Sequence, residues 1–189
     1  MIRIGILGDI GSGKSYIAKS FGYPVFNADR EVEKLYQTNK KIFNKLKKSL
    51  PKYINSFPID KKEILNAILT NKKNLSKIVK IVHLEVQKKM NIFLKKNKNK
   101  KIIILDIPLL LENKINHKND ILVYVQSEKK DVLKRLKLRK NFNQKLLKKF
   151  KSIQLSNSFK KKKSQFIIKN DFTKKSVRNS IKDILKIII

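Results

Sequence analysis

The run Gly8-Asp9-Ile10-Gly11-Ser12-Gly13-Lys14-Ser15 constrains this chain more than any other segment, because it reads GxxxxGKS and few backbones accommodate it. Glycine accepts positive φ and lets backbone N–H groups approach a ligand closely, so glycines at this spacing build a cradle for phosphate oxygens. All five glycines of the 189-residue chain fall within its first 22 residues, three of them in this run. The flanks agree. Residues 3–7 (RIGIL) read as a short apolar strand and residues 15–21 (SYIAKSF) begin an amphipathic helix, which is the strand, loop, helix order the motif requires.

Hydrophobic residues make up 41% of the chain, enough for the core of one α/β domain with small insertions. No run reaches the roughly 20 apolar residues of a membrane helix, because Asp106 divides residues 102–105 from 107–111. The first strand runs into glycines and Asp9 rather than into the apolar stretch of a secretory signal, and the absence of cysteine excludes disulfides and thiolate metal sites. A cytoplasmic enzyme without membrane association is expected. The formal charge of +33, from 47 Lys+Arg against 14 Asp+Glu, admits two readings: a nucleic-acid partner, or a lysine, isoleucine and asparagine bias from an AT-rich coding background. Lysine is spread over nearly every segment and aromatics are too scattered to stack bases, which favours the bias. No specific nucleic-acid partner is expected, only salt-sensitive and sequence-independent attraction to polyanions.

Residues 23–27 (YPVFN) read as a second strand, with Asp29 where the next helix begins. Residues 30–96 are helical in pattern. Asp60 with Glu63 forms a capping box, and Leu75, Ile78, Val79, Val82, Val86, Met90 and Phe93 mark one face of a long helix. Residues 102–106 (IIILD) are apolar on both faces, as a central parallel strand is, and residues 121–125 (ILVYV) are a second such run. Ser127 is placed to cap the helix that follows. Residues 140–163 form a lysine-rich helical insertion, 166–168 a last strand and 173–189 a closing helix. Alternating strands and helices predict a three-layer α/β fold with a parallel sheet of about five strands.

Segments spread over essentially the whole chain resemble one family in order and spacing: GDIGSGKSYIAKSFG at 8–22, NAD at 27–29, His83, DIPLLLEN at 106–113, VYVQSEKKDVLKRLKLRKN at 123–141 and SQFIIKND at 164–171. They are similar to the dephospho-coenzyme A kinases. The resemblance implies a P-loop kinase-type fold with a nucleotide-binding core (residues 1–29, 97–139 and 164–189), a helical substrate-binding insertion (30–96) and a helical lid (140–163). It implies an enzyme that uses ATP and Mg2+ to phosphorylate the ribose 3′-hydroxyl of dephospho-CoA, giving CoA and ADP in the last step of coenzyme A biosynthesis. A monomer or weak homo-oligomer is expected.

Site roles follow from the motif and from the resemblance. Gly11, Ser12, Gly13, Lys14, Ser15 and Tyr16 are assigned to ATP: the N–H groups of residues 11–15 face phosphate oxygens, Lys14 contacts the β- and γ-phosphates, and the Ser15 hydroxyl holds Mg2+. Asp29 is the candidate base or positioning group for the acceptor hydroxyl, or alternatively a helix cap. Asn27 stands where the family usually has a second aspartate. Asp106, at the end of its strand, is a further candidate for Mg2+, against a solvated or capping carboxylate. Asp9 replaces a glycine usual in the family, and its side chain is expected to point outward.

Arginine is scarce: Arg3, Arg30, Arg135, Arg139 and Arg178. Arg135 and Arg139, four apart on one predicted helix, suit a phosphate clamp or a surface salt-bridge pair. Pro108, Leu109, Leu110, Glu112 and Asn113 resemble a substrate-side loop, with core packing an equal account of Leu109 and Leu110. His83 is a positioning group, or equally a capping or helix-surface residue, with Leu84 where the family has proline. Asn170 lies near adenine by resemblance. The alternatives are another small-molecule P-loop kinase, for nucleosides or nucleotides, and a basic nucleic-acid-binding ATPase. A GTP switch is disfavoured, since the chain carries neither an NKxD nor a DxxG segment.

Overall fold

The computed structural model describes residues 1–139 and 142–189, and the backbone but not the side chain of Lys72. Lys140 and Asn141, the first residues of the expected lid, lie outside the described residues. Among the described residues, five strands and nine helices follow one another as β1 (Ile2–Gly8), α1 (Lys14–Ser20), β2 (Val25–Asn27), α2 (Ala28–Thr38), α3 (Lys40–Ser49), α4 (Lys61–Thr70), α5 (Lys72–Lys96), β3 (Ile102–Asp106), β4 (Ile121–Gln126), α6 (Lys129–Lys137), α7 (Gln144–Lys151), α8 (Asn157–Lys163), β5 (Phe166–Lys169) and α9 (Lys174–Ile188). They form two compact units. One comprises Met1–Asn27, Asn97–Phe142 and Ile153–Ile189; the other comprises Ala28–Lys96 and Asn143–Ser152.

The first unit is built on a parallel sheet of order β2-β3-β1-β4-β5. Its central strands are apolar on both sides because both faces are covered, and every residue of β3 is buried. Ile4, Ile6, Ile102, Ile104, Val123, Val125 and Ile168 pack with Ile17 and Ala18 of α1, with Phe21 at its C-cap, and with Val177, Ile181 and Ile184 of α9. Helix α8 contacts β1 and β4 but contributes nothing to that cluster, which places it on the other face. Chain order reverses around β1, so the loop leaving β1 opens at the carboxyl edge where ligands of such sheets collect. At the opposite edge Arg3 is buried in a forked pair with Asp120, Nε–Oδ1 2.9 Å and Nη2–Oδ2 3.0 Å, which fixes the turn before β4.

The second unit is helical, and its buried positions follow helix periodicity: Leu35, Ile42, Leu46, Ile64, Ile68, Leu75, Ile78, Val82, Val86 and Met90. Val79 and Phe93, placed on the same face of α5 by the sequence, are only half-buried. The expected capping box at α4 is half formed. Asp60 accepts from the Lys62 N–H at 2.8 Å, but Glu63 turns to the N–H groups of Asn55 and Ser56 in the preceding loop, both 3.2 Å. At the other end of α4, Lys149 of α7 donates to the carbonyls of Ile68 and Leu69 at 2.6 and 2.7 Å, meeting carbonyls a helix end leaves unpaired. Among the described residues no helix is long and apolar enough to cross a membrane.

Candidate active site

The phosphate loop runs from the end of β1 into α1. Gly13 is the N-cap at φ 92°, a left-handed conformation that a side chain resists, and an added Cβ would also run into the Asn170 amide. Among the described residues no side chain caps α1 and no acid sits in its first turn, which leaves the positive end of the helix suited to an anion. Lys14 folds back over the loop, its Nζ donating to the carbonyls of Asp9 (2.7 Å) and Gly8 (3.2 Å). The Ser12 N–H closes the loop on the Asp9 carbonyl at 3.2 Å. Asp9 is partly buried and its Oδ1 accepts from the N–H of Ile10 at 2.7 Å, which uses an acid to close the bend before the cradle. Its charge joins burial in raising the pKa of the Tyr124 phenol, burial being the larger cause.

Two side chains brace this loop from behind. The Ser12 carbonyl accepts from Asn170 Nδ2 at 2.8 Å and from Ser127 Oγ at 3.0 Å. Ser127 was expected to cap α6; instead Glu128 occupies the cap position without a side-chain bond, and the hydroxyl serves the loop. Asn170 is buried with both ends of its amide engaged, Oδ1 accepting from the Phe172 N–H at 3.0 Å, so it shapes the loop. Tyr16, one turn into α1, is well exposed.

At the carboxyl edge of β2 and β3, Asn27 and Asp106 are register partners, and the Asn27 amide donates to Asp106 Oδ2. Asp106 is buried, which rules out the solvated reading of this carboxylate. Among the described residues no three His, Cys, Asp or Glu gather into a metal-binding cluster. Mg2+ keeps most of its waters and needs only one or two protein oxygens beside phosphate, and the buried Asp106 carboxylate at the end of β3 and the Ser15 hydroxyl in the first turn of α1 are oxygens of that kind.

The two arginines do not share a helix. α6 ends at Lys137 and Leu138 is 79% exposed, so Arg139 lies in the turn beyond. The helix stops because Val132 and Leu136 are its buried positions and no apolar residue continues the stripe. Arg135 remains on α6 and lies over the Phe172 ring, Cζ 4.4 Å from the centroid. The helix is drawn to the phosphate loop because Gly11 (φ 84°) lets Leu136 and Val132 close in; a Cβ there would meet Leu136 Cγ at 2.9 Å.

In the segment 106–113, Leu110 is fully buried, so core packing accounts for it and it touches no substrate. Pro108 and Leu109 are half-buried. Glu112 Oε1 pairs with Lys160 of α8 at 2.9 Å and accepts from the Leu155 N–H, also at 2.9 Å, while Oε2 is buried and has no hydrogen-bond partner among the described residues. Lys160, 1% exposed, was not singled out among so many lysines; its position four residues after Ser156, the cap of α8, was the available signal.

The model of the dephospho-CoA kinase family matches residues 2–176. The chain belongs to that family. A dephospho-CoA kinase of Wolbachia sp. subsp. Brugia malayi is 35% identical over 187 residues, spanning 96% of this chain and 95% of the relative. The fold is likewise that of P-loop kinases. A crystal structure from Thermus thermophilus superposes with a TM-score of 0.75 at 22% identity, covering 100% of this chain and 98% of that one. The dephospho-CoA kinase of Campylobacter jejuni gives 0.61 at 24% identity, covering 98% and 96%. Two residues that resemblance to dephospho-CoA kinases singled out lie in the helical unit. His83 is half-buried midway along α5, and Asp29 is exposed as the second residue of α2. Asp29 is therefore inside the first turn, where an acid suits the helix dipole, and not at the cap.

Proposed function

We propose that this kinase transfers the γ-phosphoryl group of ATP to the ribose 3′-hydroxyl of dephospho-CoA, giving CoA and ADP. The observation that carries this reading is the family match over residues 2–176, which takes in the phosphate loop and both segments flanking it in space. On binding a triphosphate, Lys14 exchanges the carbonyls of Gly8 and Asp9 for β- and γ-phosphate oxygens, and the uncapped N-terminus of α1 takes the remaining charge. Ser15 and Asp106 would hold Mg2+, which would neutralise charge on the phosphates, and Asn27 fixes the Asp106 carboxylate. Asp29, exposed in the first turn of α2, orients the acceptor hydroxyl and accepts its proton. Arg135 meets charge on the transferring group, with Arg139 supporting from the turn. Residues 30–96 are assigned to the acceptor, with His83 as a positioning group, and residues 140–163 to a lid-like segment.

The test offers dephospho-CoA, nucleosides, nucleoside monophosphates or RNA beside ATP and Mg2+ and follows ADP. Turnover with dephospho-CoA and formation of CoA are expected. ADP release that only a nucleoside, a nucleotide or RNA stimulates overturns the reading.

A further inference from the structure

The turn of residues 170–173, between β5 and α9, is tied together more tightly than its exposed position requires. Thr173 caps α9 through the Ser176 N–H, and Asp171 Oδ1 accepts from both the N–H and the hydroxyl of Thr173, at 2.9 and 2.8 Å. These bonds hold the Asp171 carboxyl below its ordinary pKa. Inside the turn Phe172 stands at φ 66°, the left-handed region that glycine enters freely and a bulky side chain enters only at a cost. The ring is half-buried, with Cε1 3.6 Å from where a Gly13 Cβ would stand on one side and the Arg135 guanidinium 4.4 Å from its centroid on another.

We infer that Phe172 is a positioning residue for Arg135. One hydrogen-bonded path joins the phosphate loop to the ring: the Ser12 carbonyl holds Asn170 Nδ2, and Asn170 Oδ1 holds the Phe172 N–H. The ring face then fixes the plane of a guanidinium that otherwise samples many rotamers from the exposed end of α6. A residue held in an unfavourable conformation whose ring carries the arginine is worth its strain if the arginine must be aimed. The inference rests on the reading that Arg135 serves the transferring phosphate.

Phe172→Gly separates the two parts of the claim. It removes the strain, so thermal stability holds or rises, while kcat/KM for ATP falls about two- to fivefold, the worth of one exposed cation–π contact. Phe172→Leu, which keeps bulk without a π face, falls similarly, and Phe172→Trp restores the rate. In an Arg135→Ala background Phe172→Leu has no further effect. With five arginines in the chain, the side-chain Nε–Hε NMR spectrum is sparse, and the Arg135 signal carries a ring-current shift that Phe172→Leu abolishes. Full activity of Phe172→Leu, an effect that adds independently to Arg135→Ala, or an unmoved Arg135 signal overturns the inference. If Arg135→Ala alone leaves turnover intact while the Arg135 signal still moves, the reading of Arg135 falls and the contact stands.

Discussion

The sheet unit and the helical unit answer to different constraints. In the sheet unit individual atoms matter: the Ser12 carbonyl takes two side-chain donors, the Asp106 carboxylate is held by Asn27, and Glu112 is held by Lys160 and the Leu155 N–H. In the helical unit the interior is set by apolar spacing along α2 to α5, and side-chain bonds gather at helix ends, as at Asn39, Asp60 and Lys149. Periodicity leaves the outer faces of those helices open to any soluble residue. A chain of +33 has therefore put lysine there without touching the packing, whereas positions around the phosphate loop keep Asn, Ser and Gly at fixed places.

If that contrast is right, the largest effect comes from the loop itself. Lys14→Ala is expected to lower kcat by about 10²–10³, the scale of one lost charge-stabilising donor, while the two loop carbonyls it leaves without their donor cost no more than about 1 kcal/mol of stability. Near-normal turnover would break the contrast and the kinase mechanism together. Next is Asn170→Ala, which takes one donor from the Ser12 carbonyl and is expected to cost about 1–3 kcal/mol while raising KM for ATP. Denaturant titration and steady-state kinetics check the two halves; a stability loss with unaltered KM would mean that the brace supports the fold but not the loop geometry. In the helical unit, Lys149→Met leaves two carbonyls at the end of α4 without their donor and is expected to cost about 1 kcal/mol, again by denaturant titration. Its KM for ATP is expected to stay constant, and a rise would show that the two units are not separable in this way.

What the sequence reveals divides along the same line. The order of strands and helices, the central place of residues 102–106 and the apolar face of α5 are legible because burial is periodic. The phosphate loop is legible because glycine spacing encodes backbone geometry. Hydrogen bonds across long sequence separations are not. Ser127 looks like a helix cap until β4 sets it behind Ser12, and Lys160 looks like one lysine of a run until α8 turns it onto Glu112. The one-helix placement of Arg135 and Arg139 failed because spacing alone does not say where an apolar stripe runs out.

The smallest effect tests the claim that the lysine-rich exterior is indifferent. Glu85 and Lys88 form an exposed ion pair one helical turn apart on α5, Nζ–Oε1 2.8 Å. The hydrogen bond from Lys88 is the main cause of a lowered Glu85 pKa, with Lys45 and Lys41 adding charge at longer range. A carboxyl whose folded pKa lies below its unfolded value adds stability above the unfolded value, and that contribution disappears as pH falls through the lowered one. Water and salt screen so exposed a pair, and Glu85→Gln is expected to cost less than about 0.5 kcal/mol at pH 7, a shift of no more than about 2 °C, vanishing in acid or at high salt. A loss above about 1 kcal/mol that survives high salt would show that Glu85 organises the surrounding lysines, and that charge on the helical exterior shapes this unit as side-chain atoms shape the loop.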